Sequence, residues 1–411
     1  MGTTKISFWA STGLLVYTHV GYGLTLELLA RRRRAQGDAP WRGPGAGARA
    51  GVGAEARAGA EGDAGAQPAA VPAAGPESAE LPTVSVIVAA YAEQEVIADR
   101  VANLRALDYP SERLEVIVAC DGSPDATPHR AREAGADVVL ELARGGKIRA
   151  QDAAVKRSRA QIVAFSDANV RWSPDALREL VKPFADARVG YVCGDVSFVN
   201  DRGTNQEGLY WRYEMALRRL ESDVRSVTGG NGAIYATRRE SYLVVDPIMG
   251  HDLSFPFNMV KRGWLALYAP GAHASEKMVP TIEGEFARKR RMMSHGWPIL
   301  LRGGLLSPRG YDPVYALMIV SHRVLRYASP FLHLIALGTS LALAPRGRVY
   351  RVAVALQATL LMATAAASAV PARPLLIARY YVFTTASLAA GLWDWLAHGT
   401  HAGWEPAEGT R

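Results

Sequence analysis

The chain has 411 residues, with 47 Lys and Arg against 39 Asp and Glu, a net charge of +8 and a mean hydropathy of −0.01. That length supports one large or two ordinary domains, while the mean hydropathy excludes a protein built of membrane helices alone. Two cysteines exclude a disulfide scaffold and a cysteine-based zinc site, and the basic surplus clusters beside apolar runs, a membrane margin rather than a nucleic-acid face.

Residues 6–30 carry no charge except Glu27 and are long enough to cross a bilayer. Lys5 is the basic residue ahead of the run, and Arg31 to Arg34 follow it. By the positive-inside rule residues 1–34 read as an uncleaved anchor whose C-terminal end is cytosolic; a cleaved signal peptide is the alternative. Residues 35–80 are mostly Ala and Gly with scattered Pro. They lack the apolar periodicity that offsets ordering entropy, which predicts a disordered tether.

Residues 81–296 alternate strand-like and helix-like patterns. β-Branched runs at 84–89, 115–119, 138–142 and 162–165, with helical stretches at 93–107 and 147–158 among them, predict βαβ units on a mostly parallel sheet. Residues 297–400 hold three more apolar runs, at 327–344, 352–370 and 380–397, each near spanning length. The short stretch 297–306 suits an interfacial helix, and a re-entrant or interfacial segment near 313–326 would reconcile the flanking arginines with the positive-inside trend. Residues 401–411 are left as a tail.

Acidic residues follow strand-like runs repeatedly: Glu93 after VSVIVAAYA, Asp121 after VIVAC, Asp167 after IVAFS, and Asp252 after a Pro- and Gly-containing loop. Carboxylates gathered at one strand edge repel each other unless a cation or sugar hydroxyls occupy the space. Singly, each reads better as a turn residue or helix cap. Lys147 follows Arg144-Gly145-Gly146 and opens a helix, where backbone N–H groups favour a phosphate; a solvated first-turn lysine is the plain alternative. Arg288 and Arg291 share a helix face by their spacing, fit to clamp a diphosphate or to meet a membrane surface. Tyr210, Tyr213, Leu217 and Leu220 form a helical stripe that reads as core, with Trp211 and Glu214 on another face. His322, Arg323 and Arg326 read as lipid-phosphate contacts or snorkelling side chains, and Cys120 and Cys193 as buried thiols.

In the order VSVIVAAYAE, VIVACDGS, RGGK, VAFSDAN, TGGNGAIYA, HDLSFP and EFARKRR, the stretch from Pro82 to Gly296 resembles the family 2 glycosyltransferases, in particular their cellulose synthase-like membrane members. The resemblance implies an α/β, GT-A type catalytic domain with a Rossmann-like mixed sheet, joined to N- and C-terminal transmembrane helices. It implies an inverting transferase of polysaccharide or cell-envelope synthesis that uses a nucleotide-diphosphate sugar, a UDP-sugar first, and Mg2+ or Mn2+. Tyr91, Glu93 and Asp121 would hold the nucleoside, and Lys147, Asp167, Arg288 and Arg291 the rest of the donor. Asp167 and Asn169 would bind the metal, Asn169 departing from the second carboxylate of the family's DxD motif. Asp252 would be the catalytic base, preceded by His251 where many relatives have a carboxylate. Gly230, Asn231 and Gly232 would line the acceptor, for which an ordinary tight turn is the alternative.

Arg288 and Met292 replace the Gln and Trp of the QxxRW motif of processive relatives. The implied acceptor is therefore a membrane-associated lipid or a polysaccharide reached by few additions, at the cytosolic face of the inner membrane. A processive synthase and a non-catalytic scaffold of an exopolysaccharide assembly are the alternatives. Nucleic acid is not an expected partner.

Overall fold

The computed structural model describes residues 2–36, 81–199, 206–277, 279, 281–370 and 372–403, with the backbone alone for 206–210. The expected tether beyond Gln36, the expected tail beyond residue 403 and the Tyr210 side chain lie outside the described residues.

The N-terminal segment is one helical run: α1 (Gly2–Val16), a π turn (Tyr17–Gly21) and α2 (Tyr22–Ala35). The central domain follows as β1 (Val84–Ala90), α3 (Ile97–Arg105), β2 (Leu114–Asp121), α4 (Thr127–Glu133), β3 (Val138–Leu142), α5 (Lys147–Arg157), β4 (Ile162–Asp167), β5 (Val170–Trp172) and α6 (Ala176–Val181). It continues with β6 (Val189–Val199), α7 (Gln206–Val224), β7 (Tyr235–Arg238), α8 (His251–Lys261) and β8 (Leu265–Lys277). The C-terminal part is α9 (Ile282–Leu301), α10 (Pro313–Met318), α11 (Leu325–Leu343), α12 (Arg348–Ala366) and α13 (Arg373–His398).

All eight strands join one mixed sheet in the order β3-β2-β1-β4-β7-β6-β8-β5. The four strands expected from the sequence form its parallel half, and β7 begins the other half by pairing antiparallel to β4. Every residue of β1 is buried, as a parallel strand covered on both faces requires. Val84, Val86 and Val88 pack with Val101, Leu104 and Leu177 on one face, whereas Ile87 and Ala89 pack with Ala150, Ala154 and Phe255 on the other. Register sets Ala90 beside Cys120 and Ala89 beside Asp167, so the loops leaving β1, β2 and β4 emerge at one edge.

A third core fastens this domain to the helices. Tyr22 and Leu26 pack with Leu217, Trp297, Tyr315 and Leu388. At the same junction Tyr22 donates to Glu221 at 2.6 Å, Arg34 pairs with Asp223 at 2.7 Å, and Arg33 donates to the Val224 carbonyl. Two of the four arginines expected at a membrane margin thus also tie α2 to the end of α7.

Among the described residues three helical runs are long and apolar enough to cross a membrane: Pro313–Arg346, Arg348–Ala366 and Arg373–His398. The N-terminal helix falls outside that set and lies against α11 and α7. The segment 313–326, for which a re-entrant or interfacial course is the expectation, continues through a π turn (Ile319–Val324) into α11 as one helical run. The stretch 297–306 is not a separate helix either. Its first half completes α9, and Trp297 is buried because its Nε1 donates to the Leu388 carbonyl at 2.8 Å and its ring meets Tyr327 edge-on at 4.9 Å.

Candidate active site

The loop leaving β1 turns at Ala92, whose φ of 52° lies in the left-handed region. Glu93 is then held by its N–H, which donates to Thr127 Oγ1 at 2.8 Å. Asp121, at the end of β2, is 1 % exposed. Its carboxylate accepts the N–H groups of Gly145 at 2.6 Å and Gly146 at 2.9 Å, and pairs with Arg144 at 3.1 Å. Gly146 has φ 98°, a conformation glycine adopts without strain, and α5 starts at the next residue. The Arg144 guanidinium lies 3.2 Å from the centre of the Tyr91 ring. Tyr91 and Asp121 therefore brace the loop that aims Lys147; neither lines the cavity beside them.

That cavity has a volume of about 770 Å3. Glu93, Lys147, Asp167 and Asn169 line one side, and Asp252, Arg288 and Arg291 another. Gly230, Asn231 and Gly232 reach it as well. Lys147 Nζ pairs with Asp167 Oδ1, and a Cβ on Gly232 would stand 3.5 Å from that nitrogen. Gly230 permits close approach of a different kind, because a side chain there would collide with the buried Tyr191 hydroxyl. Its N–H donates to the Asp252 carbonyl at 2.6 Å. Asn231 is spent inside the loop, donating to the Gly194 carbonyl at 2.8 Å and accepting the Ile234 N–H at 2.9 Å.

Asp252 occupies the first turn of α8, where the helix dipole favours a carboxylate. Burial works against the Lys147 ammonium, yet Asp167 first, then Asp252 and Glu276, together hold its pKa above the ordinary value. Those three carboxylates consequently share one electrostatic neighbourhood. Arg288 chelates Glu285 through Nε at 2.7 Å and Nη2 at 2.9 Å, while Arg290 turns away to Asp394 on α13. Arg288 and Arg291, three residues apart on α9, both line the cavity.

Several residues were not singled out by the sequence. Glu276, near the end of β8, accepts from Asn169 Nδ2 at 3.3 Å. Its pKa is raised by burial and then by the charge of Asp167. Arg100 on α3 is buried behind Asp167 and lies 4.9 Å over Trp172; burial lowers its pKa to about 9, with Asp167 opposing. Both follow from pairings across the sheet that no local motif marks. Among the described residues no group of three His, Cys, Asp or Glu side chains is arranged to hold a metal. The side-chain oxygens gathered at this spot come from Asp167, Asn169 and Glu276.

His251 packs rather than faces the cavity mouth. It is 2 % exposed, stacks on Phe255 at 3.9 Å, and its Nδ1 meets the Tyr235 hydroxyl at 2.9 Å. Burial, followed by nearby Lys147, pushes its pKa well below the usual range, so it stays neutral. Glu214 and Glu221, on α7, enter a buried polar cluster: Glu214 pairs with Arg326, and Glu221 with His322 at 2.6 Å. Although burial favours the neutral acid, His322 and Arg323 draw Glu221 down to about 2.

A mixed sheet with its parallel half leading, and acidic strand ends opening into one cavity, defines the GT-A class of glycosyltransferase architecture. Residues 85–244 match the family model for glycosyl transferase family 2. A beta-monoglucosyldiacylglycerol synthase of Trichormus variabilis is 32% identical over 164 residues, which are 38% of this chain and 34% of that protein. A poly-beta-1,6-N-acetyl-D-glucosamine synthase of Staphylococcus aureus is 24% identical over 235 residues, 54% of this chain and 57% of that one. The chain thus spans about a third of the length of the first relative. A mannosyltransferase from Pyrobaculum calidifontis, solved in complex with GDP-Man and Mn2+, superposes with a TM-score of 0.61 at 25% identity, covering 77% of this chain and 87% of that one.

Proposed function

We propose that the chain is an integral-membrane, inverting glycosyltransferase of the cell membrane. It moves a sugar from a nucleotide-diphosphate sugar, a UDP-sugar first, to a lipid or glycan acceptor at the cytosolic face. The observation that carries this reading is the shared cavity, where Asp252, the Lys147–Asp167 pair and the apolar helix residues Tyr327 and Leu388 line one space. Donor chemistry and a membrane-held acceptor meet there.

Lys147, at the start of α5, and the Arg288–Arg291 face receive the diphosphate. Glu93 borders the nucleoside, while Tyr91 and Asp121 act through the loop they brace. The backbone of Gly230–Gly232 presents the acceptor to Asp252. The acceptor hydroxyl oxygen attacks the anomeric carbon and its proton passes to Asp252. The bond from that carbon to the diphosphate oxygen breaks, and the electron pair leaves with the nucleoside diphosphate. Attack from the opposite face inverts the anomeric centre.

Asp167, Asn169 Oδ1 and Glu276 fit a divalent cation, Mg2+ or Mn2+. The raised pKa of Glu276 is caused in part by Asp167, a repulsion that a cation relieves. Two carboxylates and an amide oxygen would hold it, hard oxygen donors of the kind such cations take. When bound, the cation would neutralise charge on the leaving diphosphate. Met292 lines the cavity, and a thioether in place of a stacking ring favours single or few additions over a long polymer.

Purified protein supplied with Mg2+ or Mn2+ and a panel of UDP- and GDP-sugars should turn over at least one donor, and Asp252→Asn should abolish that turnover. A protein that binds no donor, or an Asp252→Asn variant equal to wild type, refutes the reading. Mass spectrometry of the product separates one addition from many.

A further inference from the structure

The cavity has a second end, where α7 meets the helical run 313–346, and three arginines line it: Arg218, Arg323 and Arg326. Arg326 is committed to Glu214. The other two keep donors unspent. Arg323 Nε donates to Thr228 Oγ1 at 2.9 Å, but its Nη2 is buried without a hydrogen-bond partner. Arg218 is 5 % exposed and lies 5.2 Å over the Trp211 ring, and its buried Nε also has no partner. Glu214 and Glu221 take up Arg326 and Arg323, whereas the Arg218 guanidinium has the Met215 sulfur at 3.8 Å and the Trp211 ring for neighbours, a weak set for a buried cation. Buried charges and donors are costly unless something compensates them.

The placement indicates what would do so. A Cβ on Gly229 would collide with the Arg323 guanidinium, and the next residue, Gly230, donates its N–H to the Asp252 carbonyl. The unspent donors therefore lie on the acceptor side of Asp252. Beyond them the cavity runs along the apolar helices past Tyr327, Ser329, Thr384 and Leu388. An apolar passage ending in guanidinium donors suits an amphiphile with an anionic head.

We infer that this end of the cavity binds the phosphate of a phosphate-bearing lipid, and that this lipid is the acceptor. The inference rests on the glycosyltransferase reading and deepens it by naming the acceptor class. Guanidinium forks match phosphate oxygens better than they match a neutral hydroxyl. The passage selects a lipid phosphate over free phosphate, because only the lipid fills it.

The test measures binding to the full-length protein in nanodiscs, with dodecyl phosphate, dodecanol, inorganic phosphate and UDP or GDP as probes. Dodecyl phosphate should bind at least about tenfold tighter than dodecanol or inorganic phosphate, the size of one charge-assisted hydrogen bond. Arg218→Gln and Arg323→Gln should each weaken it by about tenfold, and Arg218→Lys by less, while nucleotide affinity stays within about twofold. The probe comparison on wild type needs no variant, and melting curves verify that each variant folds. Equal binding of dodecanol or inorganic phosphate overturns the inference. So does a parallel loss of nucleotide binding in the glutamine variants, because the arginines then serve the donor. Nucleotide binding without dodecyl phosphate binding refutes the acceptor class and leaves the glycosyltransferase reading intact, whereas wild type that binds no nucleotide refutes that reading itself.

Discussion

The two ends of the cleft edge are built on opposite principles. At the β1–β2 end Asp121 is saturated by two backbone N–H groups and Arg144, and Arg144 in turn covers Tyr91. At the β4–β8 end Asp167, Glu276 and Asp252 crowd around one lysine. The first end is a finished scaffold. The second leaves carboxylates beside one another, the arrangement on which the proposed cation and donor sites rest.

The comparison can be broken by mutation. Asp252→Asn should lower kcat by about 10²–10⁴-fold with little change in donor KM, as expected for a lost proton acceptor. Asp121→Asn should do the reverse, raising KM more than it lowers kcat, and steady-state kinetics on both variants separates chemistry from scaffold. Glu214→Gln tests the junction with the helices. It strands Arg326 in a largely buried site and should cost ~3–5 kcal/mol in denaturant unfolding.

Glu221 sharpens the same point through pH. Its folded pKa of about 2 lies below the ordinary 4.5, so it stabilises the fold above about pH 4.5 and loses that contribution as pH falls toward 2. The difference corresponds to about 3 kcal/mol. Unfolding at pH 6 and pH 3 should show wild type losing more stability than Glu221→Gln. The smallest expected effect is at the scaffold end: Tyr91→Leu removes the ring contact under Arg144 and leaves the Arg144–Asp121 pair in place, a loss of ~0.5–1 kcal/mol readable as a modest fall in melting temperature.

What could be read from the sequence follows the same division. β1, β2 and β4 are buried runs, β2 and β4 ending on Asp121 and Asp167 and β1 followed by Glu93 in its loop, and both the runs and the acids were legible locally. β8 was not. Pro270 and Gly271 interrupt it, and its pairing with β6 slips between Gly194 and Asp195, so period-two alternation fails there and Glu276 escaped notice. β7 has four residues, too few to signal a strand. Asn231 read as an acceptor contact because a tight turn and a binding loop look alike in sequence; its two hydrogen bonds depend on Gly194 and Ile234. The Glu214, Glu221 and His322 cluster joins α7 to a segment about a hundred residues away, a relation that spacing cannot encode.

The π turn at Ile319–Val324 gives the long C-terminal run one surplus residue. Its two halves are therefore out of phase by roughly 100°, the angle per residue of an α-helix. Each half can then answer to its own neighbour: Tyr315 before the turn donates to the Val227 carbonyl at 3.0 Å, and Tyr327 after it still meets Trp297. Deleting one residue from the turn would force both halves onto a single angular reference, so a shortened and perfectly regular helix could keep its grip on the sheet domain or on its fellow helices, but not on both.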